Sequence, residues 1–210
     1  MRINTNLKNF RKQHLKKNNQ IIYYVESLKN KRIIENLIEN FLIDNNSFVF
    51  ESVEKGKIRG RYTIFGKNPD KIWEFKNNKV YLCNKQTKKI INKSPYIFLK
   101  KMVEEFKFQT PKNLPPICSL LAGFFSYDII RYIEKIPNNC VDDLNLPDVR
   151  ILRPTSLIIH DNVKKKIFYI VNCYNDERIS DYQSKLKKIK QELANLKKCT
   201  KYNIGNSLKI

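Results

Sequence analysis

Apolar positions recur along this chain in two rhythms. Between residues 31 and 42, Ile34, Leu37, Ile38, Phe41 and Leu42 return at intervals of three and four, the stripe of an amphipathic helix. Residues 5–18 carry a more basic version, with Leu7, Phe10 and Leu15 on one side. Elsewhere the period is two, and strands are expected at 21–27, 47–53, 61–66, 71–76, 79–84 and 87–92. Asn77-Asn78 marks a hairpin turn, and Gly66-Lys67-Asn68-Pro69 a turn between two strands. Ser94-Pro95 opens a helix, with serine as the cap and proline as the first residue. Its expected buried face is Ile97, Phe98, Met102, Val103 and Phe106.

The run 117–125 is apolar on both faces and reads as a central strand. Ser126-Tyr127-Asp128 then starts a short helix carrying Ile129, Ile130 and Ile133. Residues 149–159 and 166–173 pair as a hairpin across His160-Asp161-Asn162-Val163-Lys164. A last helix, about 177–196, has a narrow heptad stripe, read as packing against the sheet. Residues 197–210 form a polar tail. Adjacent strands with flanking helices, and no βαβ rhythm, predict an α+β fold. The expectation is a mostly antiparallel sheet, half of a β-sandwich-like core, in one domain over 1–196.

Composition narrows the function classes. A hydrophobic content of 41% is enough to build a core, so global disorder is not expected. The net charge of +21 invites a nucleic-acid reading. Against it, the lysines are dispersed along the chain and arginine is scarce. Zinc pairs, aromatic RNP strands and Gly-x-x-Gly clamps are all missing. Weak, sequence-indifferent attraction to polyanions is expected instead. Cysteines at 83, 118, 140, 173 and 199 are odd in number and lack C-x-x-C spacing, which fits reduced thiols in a cytoplasmic protein. The first residues have no signal-peptide pattern, and no apolar run is long enough to span a membrane.

Catalytic signatures do not appear. There is no Ser/His/Asp constellation, H-E-x-x-H, Walker loop or dinucleotide fingerprint, and His14 and His160 share no context. No catalytic and no metal-ligating residue is assigned. Asp142-Asp143 reads as a solvated loop pair. Tyr127, Asp128 and Arg131 fall on one helix face, where an ion pair is structural far more often than catalytic.

The segment from Phe48 to Asp70, FVFESVEKGKIRGRYTIFGKNPD, is the most informative. Glu51 and Ser52 close an otherwise apolar strand, a place where folds satisfy turn hydrogen bonds or present binding groups. Glu51-Ser52-Val53-Glu54, Arg59-Gly60-Arg61-Tyr62 and Gly66-Lys67-Asn68-Pro69-Asp70 form a first block. Gly123-Phe124-Phe125-Ser126-Tyr127-Asp128 with Arg131-Tyr132-Ile133-Glu134 form a second. Leu152-Arg153-Pro154-Thr155 with Asp161-Asn162-Val163-Lys164 form a third. In this order the blocks resemble the amino-terminal domain of anthranilate synthase component I, best over 48–174, in wording like the alphaproteobacterial form. Leu120 and Ser126 depart from the pattern, standing where the family usually has glycines.

The resemblance implies a place in tryptophan biosynthesis, in the cytoplasm, as a regulatory and structural domain. The full enzyme would convert chorismate to anthranilate. Its chorismate and Mg²⁺ site would belong to a carboxy-terminal domain that begins where this chain stops, so no cofactor is expected within the chain. The chain alone is not expected to catalyse the reaction. Implied partners are that chorismate-binding domain, on a separate chain if one exists, and the glutamine amidotransferase component II. L-Tryptophan is the implied effector, with no specific nucleic acid and no membrane partner. Ser52, and beside it Glu51, carry over to the tryptophan feedback site, with Arg61 and Tyr62 as weaker candidates. Alternative readings are the related aminodeoxychorismate synthase component I of the folate route, a basic nucleic-acid-associated protein, and a relic of a split gene.

Overall fold

The structure is a computed structural model. It describes residues 7–28, 34–35, 37–38, 42, 45–51, 60–84, 87–137, 139 and 141–176, with three helical positions at 184, 187 and 191. The helix expected over 177–196 therefore lies almost wholly outside the described residues, as do Phe41, Cys140 and Cys199. The elements are α1 (Leu7–Leu15), β1 (Gln20–Ser27), β2 (Phe48–Phe50), β3 (Tyr62–Lys76), β4 (Lys79–Cys83), β5 (Lys88–Ile91), α2 (Pro95–Glu105), β6 (Ala122–Phe125), a 3-10 helix (Tyr127–Tyr132), β7 (Val149–Asp161) and β8 (Lys166–Cys173). The ladders β1–β8, β2–β3, β3–β4, β4–β5, β6–β7 and β7–β8 are antiparallel, and helices flank the sheet, as the α+β expectation requires. The chain folds as two compact units, 1–68 with 108–119 and 155–210, and 69–107 with 120–154. β3 and β7 each run from one unit into the other.

The first unit is organised by β8. Its sequence KIFYIVNC alternates poorly because almost every position is buried. β1 lies along one edge, from Gln20 opposite Cys173 to Ser27 opposite Lys166, and β7 along the other, from Ser156 opposite Val171 to Asp161 opposite Lys166. Phe10 of α1 is 2% exposed and joins Ile22, Phe65, Ile158 and Tyr169 in the core, whereas Leu15 of the same helix is 75% exposed. The helix thus docks through one aromatic ring and leaves its basic residues in water. Ile34 and Leu37 are buried in the same core, as their spacing predicted.

β2 is short and pairs with β3, Phe48 opposite Gly66 and Phe50 opposite Ile64. The aromatic ring of Phe48 lies over Gly66, where an added Cβ would come within 2.1 Å of it. The expected turn at 66–69 is corrected here, because β3 continues through it for 15 residues. Asn68 takes a positive φ of 53°, which asparagine tolerates, and absorbs the Gly-Lys-Asn-Pro sequence as a kink within the strand. Thr155 Oγ1 donates to Asn68 O at 2.7 Å and fixes that kink.

In the second unit, β3 turns into β4 through Asn77 and Asn78, at φ 50° and 57°, the left-handed pair that a tight hairpin needs. Ser94 Oγ accepts from Ile97 N and caps α2, and Pro95 is its first residue. The core is Trp73, Phe75, Val80, Met102, Val149 and Ile151, with Phe98 packed edge-on against Trp73 and Phe75 at 6.1 and 5.9 Å. The face of α2 differs from expectation. Met102 is buried and Phe98 and Leu99 pack on the core, while Ile97 is 59% and Val103 66% exposed. The central strand expected over 117–125 is also corrected. Only Ala122–Phe125 is extended, paired along β7, and Phe124 and Phe125 are exposed.

Candidate functional site at the end of β2 and the start of β3

The strand end singled out by the sequence is described up to Glu51. That residue follows β2 and is exposed. Ser52 lies outside the described residues, as do residues 53–59. The rings of Phe48 and Phe50 meet in a tilted contact at 4.8 Å, and β2 brings the chain up to Glu51 along β3.

From Gly60 onward the chain is firmly held. Gly60 adopts φ 70°, the left-handed region. Arg61 then forks onto Asp161, Nε to Oδ1 at 3.2 Å and Nη2 to Oδ2 at 2.8 Å. The Asp161 side chain is only 2% exposed, that of Arg61 27%. Asp161 Oδ1 also accepts from the backbone N–H groups of Val163 and Lys164, at 3.0 and 2.9 Å, and so shapes the turn between β7 and β8. From that turn Asn162 N donates to Arg61 O at 2.8 Å, and Asn162 Nδ2 to Gly60 O at 3.3 Å.

Burial alone would raise the pKa of Asp161. The Arg61 guanidinium and the two amides outweigh it and hold the carboxyl below its ordinary value. Hydrogen bonding to Asp161 keeps Arg61 charged, and burial raises the Tyr62 hydroxyl. The guanidinium also lies 4.9 Å from the Tyr62 ring centroid, a cation–π contact. Arg61, a weaker ligand candidate in the sequence, thus spends its fork on Asp161. Its role is to position the start of β3 beside the end of β2. Asp161 is the residue that sequence reasoning missed. One hundred residues separate it from Arg61, and no local spacing signals such a pair.

The other candidates resolve as structural. Arg131 Nε binds Asp128 Oδ1 at 2.8 Å, as expected, but Tyr127 is 88% exposed and takes no part. Asp142 accepts from Lys76 and from Asn145 N and caps a loop. His14 stacks on Phe10, and His160 is buried. Cys83, Cys118 and Cys173 are buried cysteines, and burial pushes the Cys83 thiol up to about 11, so it stays protonated. Among the described residues, no three His, Cys, Asp or Glu gather to hold a metal ion, and no helix is long and apolar enough to cross a membrane. A basic groove runs along α1, lined by Lys8, Arg11, Lys12, Leu15 and Lys16.

Comparisons with known proteins decide between readings of this scaffold. No protein-family model matches the chain. It is 31% identical to anthranilate synthase component 1 of Cereibacter sphaeroides over 140 residues, covering 64% of this chain and 28% of that protein. The same component of Acetivibrio thermocellus is 32% identical over 139 residues, covering 66% and 28%. In three dimensions the chain resembles anthranilate synthase component I from Streptococcus pneumoniae, with a TM-score of 0.56 and 27% identity over 70% of this chain and 32% of that one. This chain is homologous to anthranilate synthase component I. A plant relative, the chloroplastic anthranilate synthase alpha subunit 1 of Oryza sativa, is 32% identical over 70% of the chain. The chain spans less than a third of the length of these component I relatives.

Proposed function

We propose that this chain acts as an amino-terminal, regulatory and structural domain of anthranilate synthase component I, in tryptophan biosynthesis. The homology over about two thirds of the chain carries this reading. In the full enzyme, chorismate becomes anthranilate with nitrogen from a glutamine amidotransferase component II. The chorismate-binding region is supplied beyond the matched portion, together with any Mg²⁺. The described residues here offer that ion no ligand set.

The role of this chain is to bind L-tryptophan as an effector at the end of β2. An exposed Glu51 carboxylate is suited to the ammonium of an amino acid, and the Ser52 hydroxyl to its polar groups. The Arg61–Asp161 fork supports this role by fixing the neighbouring strand, so the effector would meet an ordered wall. Half of the contacts would come from the chorismate-binding region. The isolated chain should therefore bind tryptophan about one to two orders of magnitude more weakly than the assembled pair, the loss of two or three hydrogen bonds of about 1 kcal/mol each. Calorimetry on the chain, on the pair and on the pair with Ser52→Arg tests this. The substitution should abolish binding by filling the site. Equal tryptophan affinity with and without it would show the assignment to be wrong.

A further inference from the structure

The outer side of α1 is a charged surface that the tryptophan reading leaves unused. Lys8, Arg11, Lys12, Leu15 and Lys16 line one groove, and their spacing places them on a single stripe of the helix. Leu15 stands about 140° round the helix from Phe10, the residue that docks α1 on the core. All five side chains are exposed, Leu15 by 75%.

No acid offsets this stripe. α1 contains none, and none precedes Glu26 in the chain. Among the described residues, none of the four cations is paired with a carboxylate. Lys8 with Arg11 and Lys12, and Lys12 with Lys16, stand at the separations where like charges on a helix repel. The helix is nonetheless fastened from its other side and its end. Gln20 Nε2 donates to Phe10 O at 3.1 Å, Asn18 Nδ2 to Gln13 Oε1 at 2.8 Å, and Asn175 Nδ2 to Lys17 O at 3.1 Å. The cations are therefore presented on an ordered support, which lowers the cost of binding.

The exposed leucine selects among anionic partners. A phosphate backbone is held by cations and gives a central leucine nothing to touch. A helix that lies on a membrane buries a broad apolar face, and α1 has turned its aromatic side into the core. An apolar centre within a charged rim is the arrangement of a protein interface. We propose that this stripe of α1 docks an acidic helix of a partner protein, whose carboxylates meet Lys8, Arg11, Lys12 and Lys16 around an apolar residue set on Leu15. The proposal stands independently of the tryptophan site.

The test titrates the full chain, at physiological salt, with a labelled helical peptide of about 18 residues that carries glutamates at i, i+3, i+4 and i+7 around one leucine. One comparison peptide has serine for that leucine, and another is polyglutamate of equal charge. The leucine peptide should bind about tenfold more tightly than either, and Leu15→Ser should remove the difference. Lys12→Glu with Lys16→Glu should weaken binding about tenfold or more. Lys100→Glu with Lys112→Glu, the same change of net charge at exposed positions elsewhere, should change it by no more than about twofold. Urea midpoints of all the variants should match the wild type, since each substituted side chain is exposed. Equal binding of the leucine and serine peptides would overturn the proposal, as would equal loss with the two charge reversals. The attraction would then belong to the net charge of the chain. Leu15-dependent binding to vesicles of phosphatidylserine and phosphatidylcholine, or to duplex DNA, tighter than to the leucine peptide would overturn it as well.

Discussion

His160 shows how much a single side chain decides in this molecule. It stands on β7 opposite Ile167, is 4% exposed, and neither ring nitrogen has a hydrogen-bond partner among the described residues. Burial lowers its pKa, Lys165 lowers it further, and Asp161 pulls the other way without prevailing. The folded protein therefore holds the ring neutral while the unfolded chain protonates near pH 6.5. Below that pH the unfolded state binds the extra proton, so stability is full above about pH 6.5 and is lost as the pH falls. The contribution is at most about 1.4 kcal/mol per pH unit, the slope of one proton. Urea unfolding at pH 7.5 and 5.5 checks it. The wild type should lose more stability between the two than His160→Leu, and equal losses would mean that the ring already finds a proton or a partner in the fold. Nothing in the sequence marked His160 as buried rather than part of the hairpin turn. Equally, Asp161 was legible as a motif residue but not as the anchor of Arg61. Residue types and their order can be read locally, whereas a bond across one hundred positions depends on the register of β7 beside the start of β3.

At the scale of elements, local chemistry was readable wherever it was self-contained. The Asn77-Asn78 hairpin and the Ser94-Pro95 helix start are each specified by two adjacent residues, and both form as expected. Reading failed where tertiary packing chose between local options. Gly66-Lys67-Asn68-Pro69 has turn composition, but pairing with β2 on one side and β4 on the other keeps β3 extended through it. The apolar run 117–125 has the composition of a central strand, yet its last two phenylalanines are exposed. Hydrophobicity alone does not tell an inner face from an outer one. The glycines of these two strands make a contrast that can be measured. A Cβ on Gly123 would stand 1.9 Å from Arg150 O, a backbone atom that can move only if β6 separates from β7. On Gly66 it would meet the half-buried ring of Phe48, a side chain that can swing aside. Gly123→Ala should therefore cost about 2 kcal/mol or more, the upper part of the range for overpacking, and Gly66→Ala clearly less. Chemical denaturation of both variants decides this. The reverse order would mean that β6 is free to shift and that the β2–β3 contact is the rigid one.

For the molecule as a whole, charge is the property with the longest reach. A balance of +21 attracts any polyanion, and the question is whether the attraction has a site. On α1, Lys8, Arg11, Lys12 and Lys16 surround Leu15 and gather four cations along one groove. α1 buries Phe10 against the first core and leaves this side to solvent, so the four cations are available without unfolding anything. Four cations neutralising four phosphates give a salt dependence of about −3.6 in log K against log salt. Between 50 and 200 mM salt that is a loss of about a hundredfold. Phosphate contact alone carries no sequence information, since bases are read by groups placed in a groove. Titration with two duplex DNAs of unrelated sequence should therefore give the same weak affinity for both, steeply lost with added salt and reduced by Arg11→Glu with Lys12→Glu. Submicromolar binding that prefers one sequence and survives 200 mM salt would instead establish a nucleic-acid function, and component I homology would then describe ancestry rather than activity.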